Sequence, residues 1–275
     1  MKKIILTFIS VIVATITFSQ NHLPDSQLKN KGNATTRCGT MIRVEQMFES
    51  DPASRTRSQQ SSKIISEGAV VNNYRTNAII TIPVVVHIVL PNPYFVTDAD
   101  VQWQIDKLNL DYSGLNPDST NIPPEFQAVR AHSQIRFALA RRTPTGVLTN
   151  GIERIKSSVG SNVSKTIDPI KRTAQGGADV WDPNSSLNFW VGIDQSGSGI
   201  LGYAQFPSSG TAADDGVFIN AISWGNNPCY TATGYNLGRT AVHEVGHYLG
   251  LIHIWGDDGS ACTGADFKCM STDGS

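Results

Sequence analysis

The stretch from Thr240 to Gly256 constrains this chain more than any other part of its sequence. It reads TAVHEVGHYLGLIHIWG, and in it His243 and His247 are four residues apart. On an α-helix this spacing puts two side chains on one face, close enough for both imidazoles to bind a single metal ion. Glu244 follows the first histidine directly. Its carboxylate would therefore lie beside the ion, where it can take a proton from a metal-bound water.

Two later residues extend the pair of histidines to a third ligand. Gly250 comes about one turn after His247, where glycine can end a helix in the left-handed conformation without a Cβ clash. His253 follows three residues later, so a sharp turn would bring its imidazole back to the same ion. Three nitrogen ligands leave the fourth position of a tetrahedral zinc ion for water. Five fixed positions would coincide by chance only about once in a few million windows, which disfavours an ordinary core helix.

The residues His243, Glu244, His247, Gly250 and His253 together resemble the zinc-binding signature of the metzincin metalloproteases. The surrounding sequence is most similar to the pappalysin family, of the cytophagalysin and ulilysin type. Less specific resemblances cover most of the chain from about Arg37 onward. They lie at Arg37–Thr40, Ile82–His87, Leu187–Val191 and Gly202–Ala204.

The resemblance implies both a fold and a reaction. The fold would be α+β, a metzincin-like zincin with a twisted mixed sheet over an active-site helix and a substrate cleft along one edge strand. The reaction would be hydrolysis of peptide bonds in protein or peptide substrates. Zinc held by His243, His247 and His253 would lower the pKa of a bound water from about 15.7 toward roughly 7. Glu244 would accept the water proton and pass it to the leaving amine.

Hydrophobic periodicity in the rest of the chain also favours an α+β domain, because several strands and one helix precede the histidine helix. The strands are expected at Asn77–Leu90, Gln134–Ala140, Leu187–Ile193, Ile200–Phe206 and Asp215–Ser223. Thr97 to Asp100 has the pattern of a capping box, which would open a helix. His87 lies inside the first strand, where a lone histidine is more often a core residue than a ligand. Residues 155–184 show no period long enough to predict an element.

Composition and charge indicate a globular protein that does not bind nucleic acid. The chain has 275 residues, 40% of them hydrophobic, and a formal net charge of -1, which suits one domain with appended segments. A near-neutral chain without a long basic run has no electrostatic footprint for a phosphate backbone. The sequence does not indicate an oligomeric state.

Residues 1–19 are predicted to be a secretory signal peptide. Lys2 and Lys3 precede an apolar run from Ile4 to Phe18, and the small residue Ser19 stands at the expected cleavage point. The run is shorter than the roughly 20 residues that span a bilayer. We therefore expect a secreted protein with no stable membrane anchor after signal cleavage.

Residues 20–73 resemble a removable pro-segment, which leaves residues 74–275 as the catalytic domain. The pro-segment is polar and rich in Ser, Gln, Asn and Arg, so we expect it to be irregular. One short helical face is expected at Val44, Met47 and Phe48. Basic residues that an activating protease could reach lie at Arg55, Arg57 and Lys63.

Cys38 lies in the sequence Arg37-Cys38-Gly39-Thr40, which resembles the cysteine-switch element of metzincin pro-segments. The resemblance implies that the Cys38 thiolate binds the zinc, displaces its water and keeps the precursor latent. The alternative is an ordinary disulfide, since four cysteines in an exported protein allow two disulfides. Without Cys38 an odd number remains, namely Cys229, Cys262 and Cys269.

The end of the chain departs from the metzincin pattern. Metzincins carry a methionine turn, generally with a tyrosine two residues later, well downstream of the third histidine. Here Met270 is the only methionine among the 22 residues after His253, and it lacks that tyrosine. The C-terminal subdomain is therefore expected to be missing from this sequence. Acidic residues that could hold a structural Ca²⁺ ion lie at Asp257, Asp258 and Asp266.

Two other functions compete with a zinc endopeptidase. A truncated domain could keep its zinc without turnover and serve as a catalytically incompetent zinc-binding or interaction protein. An unrelated zinc hydrolase could act on small molecules, although the third histidine and the glycine spacing disfavour it. Peptide cleavage with and without a chelator separates these alternatives.

Overall fold

The computed structural model describes residues 37–70, 78–128 and 130–253. The helices are α1 (Thr40–Ser50), α2 (Pro52–Val70), α3 (Asp98–Tyr112), the single turn α4 (Pro124–Gln127) and α5 (Arg239–Tyr248). The strands are β1 (Ile80–Leu90), β2 (Ile135–Leu139), β3 (Ile152–Lys156), β4 (Leu187–Gly192), β5 (Gly202–Ala204) and β6 (Val217–Asn220). The predicted signal peptide and residues 20–36 of the predicted pro-segment lie outside the described residues.

The strands form one mixed sheet in the order β2-β1-β4-β6-β5, and β3 also pairs with β1. β1 pairs in parallel with β2 through Ile80–Val84 and with β3 through Val86–Leu90, so the two short strands follow one another along it. β5 runs antiparallel to β6 and forms the edge of the sheet. This mixed sheet with its helices confirms the predicted α+β class.

The first strand forms the centre of the core because its second half is apolar on both faces. Val84 to Leu90 are all buried, as expected for a parallel strand that is covered on both sides. Both ring nitrogens of His87 have hydrogen-bond partners there: Nδ1 lies 2.6 Å from Glu153 Oε2, and Nε2 lies 3.0 Å from Asn188 Oδ1. Its ring also stacks on Trp190 at 5.1 Å. His87 is therefore a core residue of the sheet, as the sequence indicated.

Helix α3 connects β1 to β2 and supports α5. It begins with the predicted capping box, in which Thr97 Oγ1 accepts a hydrogen bond from Asp100 N and Asp100 Oδ2 accepts one from Thr97 N. Its predicted core residues are buried, namely Val101, Ile105 and Leu108. Gln104 donates a hydrogen bond to the carbonyl of Gly238 at 3.0 Å, directly before α5. The helix thereby fixes where α5 begins.

The expectation of an irregular pro-segment is wrong for residues 40–70, which form α1 and α2. The residues predicted to make a helical face are buried, namely Val44, Met47 and Phe48. Val44 and Phe48 pack with Phe206, two residues after the end of β5. Tertiary packing of this face, rather than intrinsic propensity, stabilises the helix. Among the residues described, no helix is long and apolar enough to cross a membrane.

Strand β3 has no counterpart in the sequence prediction. Its sequence IERIK alternates weakly and is only half-buried, so pattern alone does not reveal it. The parallel register with Val86–Leu90 of β1 supplies its backbone partners. The Arg154 side chain adds two hydrogen bonds of 2.7 Å, to the carbonyls of Pro93 and Val96.

Candidate metal centre

Helix α5 presents two histidines on one side and packs against the core on the other. Ala241 and Val245 are completely buried in the main hydrophobic cluster, and Val242 and Leu249 pack partly against it. This is the apolar face expected from the sequence. His247 is buried, whereas His243 is exposed.

A left-handed glycine ends this helix as predicted. Gly250 has φ +95°, a conformation that an L side chain rarely adopts. Gly250 N donates a hydrogen bond of 2.9 Å to His247 O, and Leu251 N donates one of 2.9 Å to Gly246 O. These two bonds are the Schellman arrangement, which reverses the chain at a helix end. The reversal carries His253 back toward the other two histidines.

The three Nε2 atoms of His243, His247 and His253 lie at the corners of a nearly regular triangle. The distances are 3.0 Å from His243 to His247, 3.1 Å from His243 to His253 and 3.2 Å from His247 to His253. Zinc–nitrogen bonds of about 2.0–2.1 Å in a tetrahedron would separate the nitrogens by roughly 3.3–3.4 Å. The triangle therefore fits one small divalent cation.

The backbone fixes which nitrogen of His247 faces this triangle. His247 Nδ1 lies 2.7 Å from the carbonyl oxygen of Leu251. A carbonyl can only accept a hydrogen bond, so Nδ1 carries the proton and Nε2 presents its lone pair. The glycine turn thus delivers both the third histidine and the group that orients the second. The sequence analysis assigned no role to Leu251, because a backbone carbonyl has no sequence signature.

Cys38 completes the group of potential ligands. Its sulfur lies 3.4 Å from His247 Nε2, and the ligand atoms of Cys38 and the three histidines all lie within 4.8 Å of one another. A zinc–sulfur bond of about 2.3 Å in the same tetrahedron would put sulfur roughly 3.5 Å from each nitrogen. The thiol is free, so Cys38 is not in a disulfide. Burial, and next the charge of Glu244, raise the pKa of this thiol, and a cation beside it would oppose that shift.

The segment that carries Cys38 lies against the open edge of β5. Leu201 N donates a hydrogen bond of 2.7 Å to Arg37 O, and Gly39 N donates one of 2.8 Å to Gly202 O. Cys38 and Gly202 form a parallel bridge. Residues 37–39 of the predicted pro-segment therefore occupy the sheet edge beside the histidines as an added strand would.

Glu244 is buried between this segment and the sheet. Its Oε2 accepts a hydrogen bond of 2.9 Å from Thr40 Oγ1, and Cys38 Sγ donates to the same oxygen at 3.7 Å. Burial raises the pKa of Glu244 to about 8, although the two hydrogen bonds lower it. A Cβ on Gly202 would lie 2.9 Å from Glu244 Cγ, so only glycine leaves room for the carboxylate on this strand.

Thr40 is a site residue that sequence reasoning missed. Its hydroxyl donates to Glu244 and accepts a hydrogen bond of 2.9 Å from the backbone N–H of Ala204. The residue is completely buried. The only sequence signal was its place in Arg37–Thr40, the motif quoted for its cysteine, where the threonine received no role.

A cavity of about 540 Å³ opens on the exposed side of the histidines. His243, His247 and His253 line one side of it, and Tyr112, His132 and Leu251 are among its other lining residues. Its size suits part of an extended peptide or a small ligand. His132, for which the sequence predicted no role, is brought to this cavity by the fold.

Several predicted residues lie outside the described ranges. They are Asp257, Asp258 and Asp266 of the calcium prediction, the cysteines Cys262 and Cys269, and Met270. The calcium site and the predicted absence of a methionine turn therefore remain predictions.

A mixed sheet, a helix carrying two histidines and a glutamate, and a glycine turn that returns a third histidine define the metzincin class of metalloproteases. Comparison with known proteins agrees. The Peptidase_M43 family model, described as "Pregnancy-associated plasma protein-A", matches residues 172–274. Two solved structures, both from Tannerella forsythia, resemble the chain. A mutant of promirolysin has a TM-score of 0.69 and 37% identity, covering 83% of this chain and 73% of that one.

The second structure is mature mirolysin in complex with a cleaved peptide, with a TM-score of 0.62 and 40% identity over 70% of each chain. An extracellular metalloprotease of Arthroderma otae is 43% identical over 86 residues, so the alignment spans 30% of that protein. One from Verticillium alfalfae is 27% identical over 242 residues, which cover 86% of this chain and 69% of the relative. The chain belongs to the pappalysin family of metalloproteases.

Proposed function

We propose that this chain is the latent precursor of a secreted zinc-dependent endopeptidase. Residues 1–19 would be its signal peptide, residues 20–73 its pro-segment and residues 74–275 its catalytic domain. The observation that carries the proposal is the triangle of three imidazole nitrogens, 3.0–3.2 Å apart, beside a buried carboxylate. The word "extracellular" in the names of the fungal relatives supports secretion.

The metal ligands are His243, His247 and His253. Bound to these residues, zinc would act as a Lewis acid that activates water and polarises the scissile carbonyl. The protein's contribution is rigidity, because the Schellman turn and the Leu251 carbonyl hold two of the rings in place before any ion arrives.

Glu244 is the proton carrier in this proposal. In the latent form its Oε2 is taken by Thr40 and Cys38, at 2.9 Å and 3.7 Å. Once these two side chains leave, the same oxygen faces the histidine triangle and can accept a proton from water. It can then pass that proton to the nitrogen of the leaving amine. Gly202 keeps the carboxylate at this position.

Peptide substrates would bind along β5. The pro-segment already uses the Leu201 N–H and the Gly202 carbonyl there, and an extended substrate needs the same kind of partners. Mature mirolysin in complex with a cleaved peptide supports a peptide ligand for this family. The relatives named promirolysin and mature mirolysin likewise support a precursor that is shortened to a mature form.

The test is peptide cleavage by protein from which the residues up to Lys63 have been removed. A fluorogenic peptide or casein should be cut, a chelator should stop the cleavage, and zinc should restore it. The Glu244→Gln variant is the matched control, because it should retain zinc by elemental analysis and lose most turnover. Full turnover in that variant would reject Glu244 as the proton carrier. If the shortened protein that keeps Glu244 binds zinc but cleaves no peptide, the result would instead favour a catalytically incompetent zinc-binding protein.

A further inference from the structure

Arg43 connects the proposed pro-segment to the proposed catalytic domain, residues 74–275, which is called the catalytic part below. It does so at a second place, away from the histidines. Its side chain is 1% exposed. Nη1 donates a hydrogen bond of 2.5 Å to the carbonyl of Lys165, and Nη2 donates one of 3.3 Å to the carbonyl of Thr166. Nη2 also lies 3.2 Å from Asp214 Oδ1. A buried guanidinium is stable only when its charge and its N–H groups are matched in this way.

The groups around Arg43 are held in place by their own neighbours. Asp214 Oδ1 accepts a hydrogen bond of 2.8 Å from Arg172, and Oδ2 accepts one of 2.8 Å from Thr211. Burial would raise the pKa of Asp214, but Lys171 and Arg43 hold it below its ordinary value. Arg172 and Thr211 orient the carboxylate, and Lys171 stabilises its charge together with Arg43, so residues outside the segment of Arg43 supply much of this site.

The acceptors favour arginine over lysine. Two carbonyls and one carboxylate surround the guanidinium, and its planar fork of donors can reach all three at once. Gln46, one turn further along α1, accepts a hydrogen bond of 3.0 Å from Arg43 Nη1 and donates one of 2.9 Å to Thr166 Oγ1. An ammonium group would offer its donors from a single point and would leave acceptors unmatched.

Apolar contacts of the same helix surround this polar site. A Cβ on Gly210 would lie 2.0 Å from Met47 Cε, so the methionine fills the space over that glycine. Val44 and Phe48 pack on Phe206. Arg43 itself has no contact with the histidines or with Cys38 among its hydrogen bonds and ion pairs in the described residues. Helix α1 is therefore attached independently of any metal ligand.

We propose that Asp214 and the carbonyls of Lys165 and Thr166 form a guanidinium-binding site of the catalytic part, with Arg43 of the pro-segment as its resident ligand. This inference rests on the proposed precursor. Its consequence is that a cut after Arg55, Arg57 or Lys63 leaves the helix of Arg43 bound. Maturation then requires a second event that removes this helix, such as a further cut or dissociation.

The experiment separates this attachment from the metal and from catalysis. A recognition sequence for a site-specific protease is inserted between residues 70 and 78 of the full chain, in a Cys38→Ala background with chelator present. After the cut, gel filtration shows whether the N-terminal fragment stays with the rest, and titration gives its Kd. We expect the fragment to stay bound. Arg43→Ala should raise the Kd at least 100-fold and Arg43→Lys at least 10-fold.

The matched control is Arg57→Ala, which removes an exposed arginine of the same segment that pairs only with Asp51 at 2.6 Å in the described structure. Its Kd should change less than threefold. Equal Kd values for the Arg43→Ala and Arg57→Ala proteins would overturn the proposal.

A second measurement uses the same cut protein and needs no substitution of its Arg43. A synthetic peptide of residues 37–50 with Ala at position 38 should displace the bound fragment, and the same peptide with Lys in place of Arg43 should be at least 10-fold weaker. Equal potency of the two peptides would also overturn the proposal. Neither readout depends on peptide cleavage. If the protein binds the fragment through Arg43 but cleaves no peptide, the proposed function is refuted while the guanidinium-binding site stands.

Discussion

Replacing Thr40 by valine tests whether the hydroxyl of this residue helps to hold the proposed pro-segment over Glu244. Valine has nearly the same shape as threonine but neither donates nor accepts a hydrogen bond. The change removes the 2.9 Å bond to Glu244 Oε2 and the 2.9 Å bond from Ala204 N. Both partners stay buried beneath α1, so they gain no water in exchange while the pro-segment is in place.

The magnitude follows from these two contacts. Leaving a buried polar group without its partner costs about 1–3 kcal/mol, so two such groups cost roughly 2–6 kcal/mol. Thr40→Ser is the matched control, because it keeps both hydrogen bonds and loses one methyl group, which is worth about 1 kcal/mol. We expect the valine variant to hold the segment about 3 kcal/mol less tightly than the serine variant, which is roughly 100-fold.

The assay is alkylation of Cys38 by iodoacetamide in the presence of chelator, followed by mass spectrometry of the peptide that contains Cys38. The thiol is partly buried against His247 and Glu244, so we expect it to react faster when the segment opens, and the rate then reports the opening equilibrium. The rates are divided by those of the unfolded proteins in urea. The Thr40→Val protein should react about 100-fold faster than Thr40→Ser. Rates within threefold of each other would refute the role of the two hydrogen bonds.

Three further predictions follow from the site and the core. Gly202→Ala should displace Glu244, because the new Cβ would lie 2.9 Å from its Cγ. In the protein without the residues up to Lys63, turnover should fall at least tenfold while the zinc content stays the same. Unchanged turnover would contradict this. Gly250→Ala should cost about 1–2 kcal/mol at φ +95° and weaken zinc binding roughly tenfold in a chelator competition, whereas equal affinity would argue against the turn as the support of His253. Burial lowers the pKa of Lys171 from 10.5 to about 8, so the unfolded chain binds more protons between these values and the free energy of unfolding rises with pH there. Between roughly pH 8 and 9.5, the free energy of unfolding should increase by about 1.5 kcal/mol less in Lys171→Met than in the protein with Lys171. Urea unfolding measures this, and an identical increase in the two proteins would contradict the lowered pKa.

The histidine helix and its turn could be predicted because all of their information is local. His243 and His247 are four residues apart, and the turn at Gly250 needs only one residue that tolerates a positive φ. The long apolar strand β1 was visible for the same reason. These features depend on spacing and residue type within about a dozen residues, which is the range that periodicity covers.

The contacts of the pro-segment could not be predicted in this way. Thr40 meets Glu244 across 204 residues and Arg43 meets Lys165 across 122, and neither pairing leaves a mark in the local pattern. The helical face of α1 was predicted at Val44, Met47 and Phe48, but its packing against Phe206 was not. β3 was missed because its pairing with β1, rather than its own weak alternation, makes it a strand.

The strand-like contact of residues 37–39 with β5 has a consequence for solubility. The terminal strand of a sheet carries backbone groups that can recruit a strand from another molecule and so start aggregation. Here Arg37 and Gly39 engage the Leu201 amide and the Gly202 carbonyl. While residues 37–39 cover this edge, these backbone groups at β5 are not open to pairing with a strand of another molecule, even at high protein concentration.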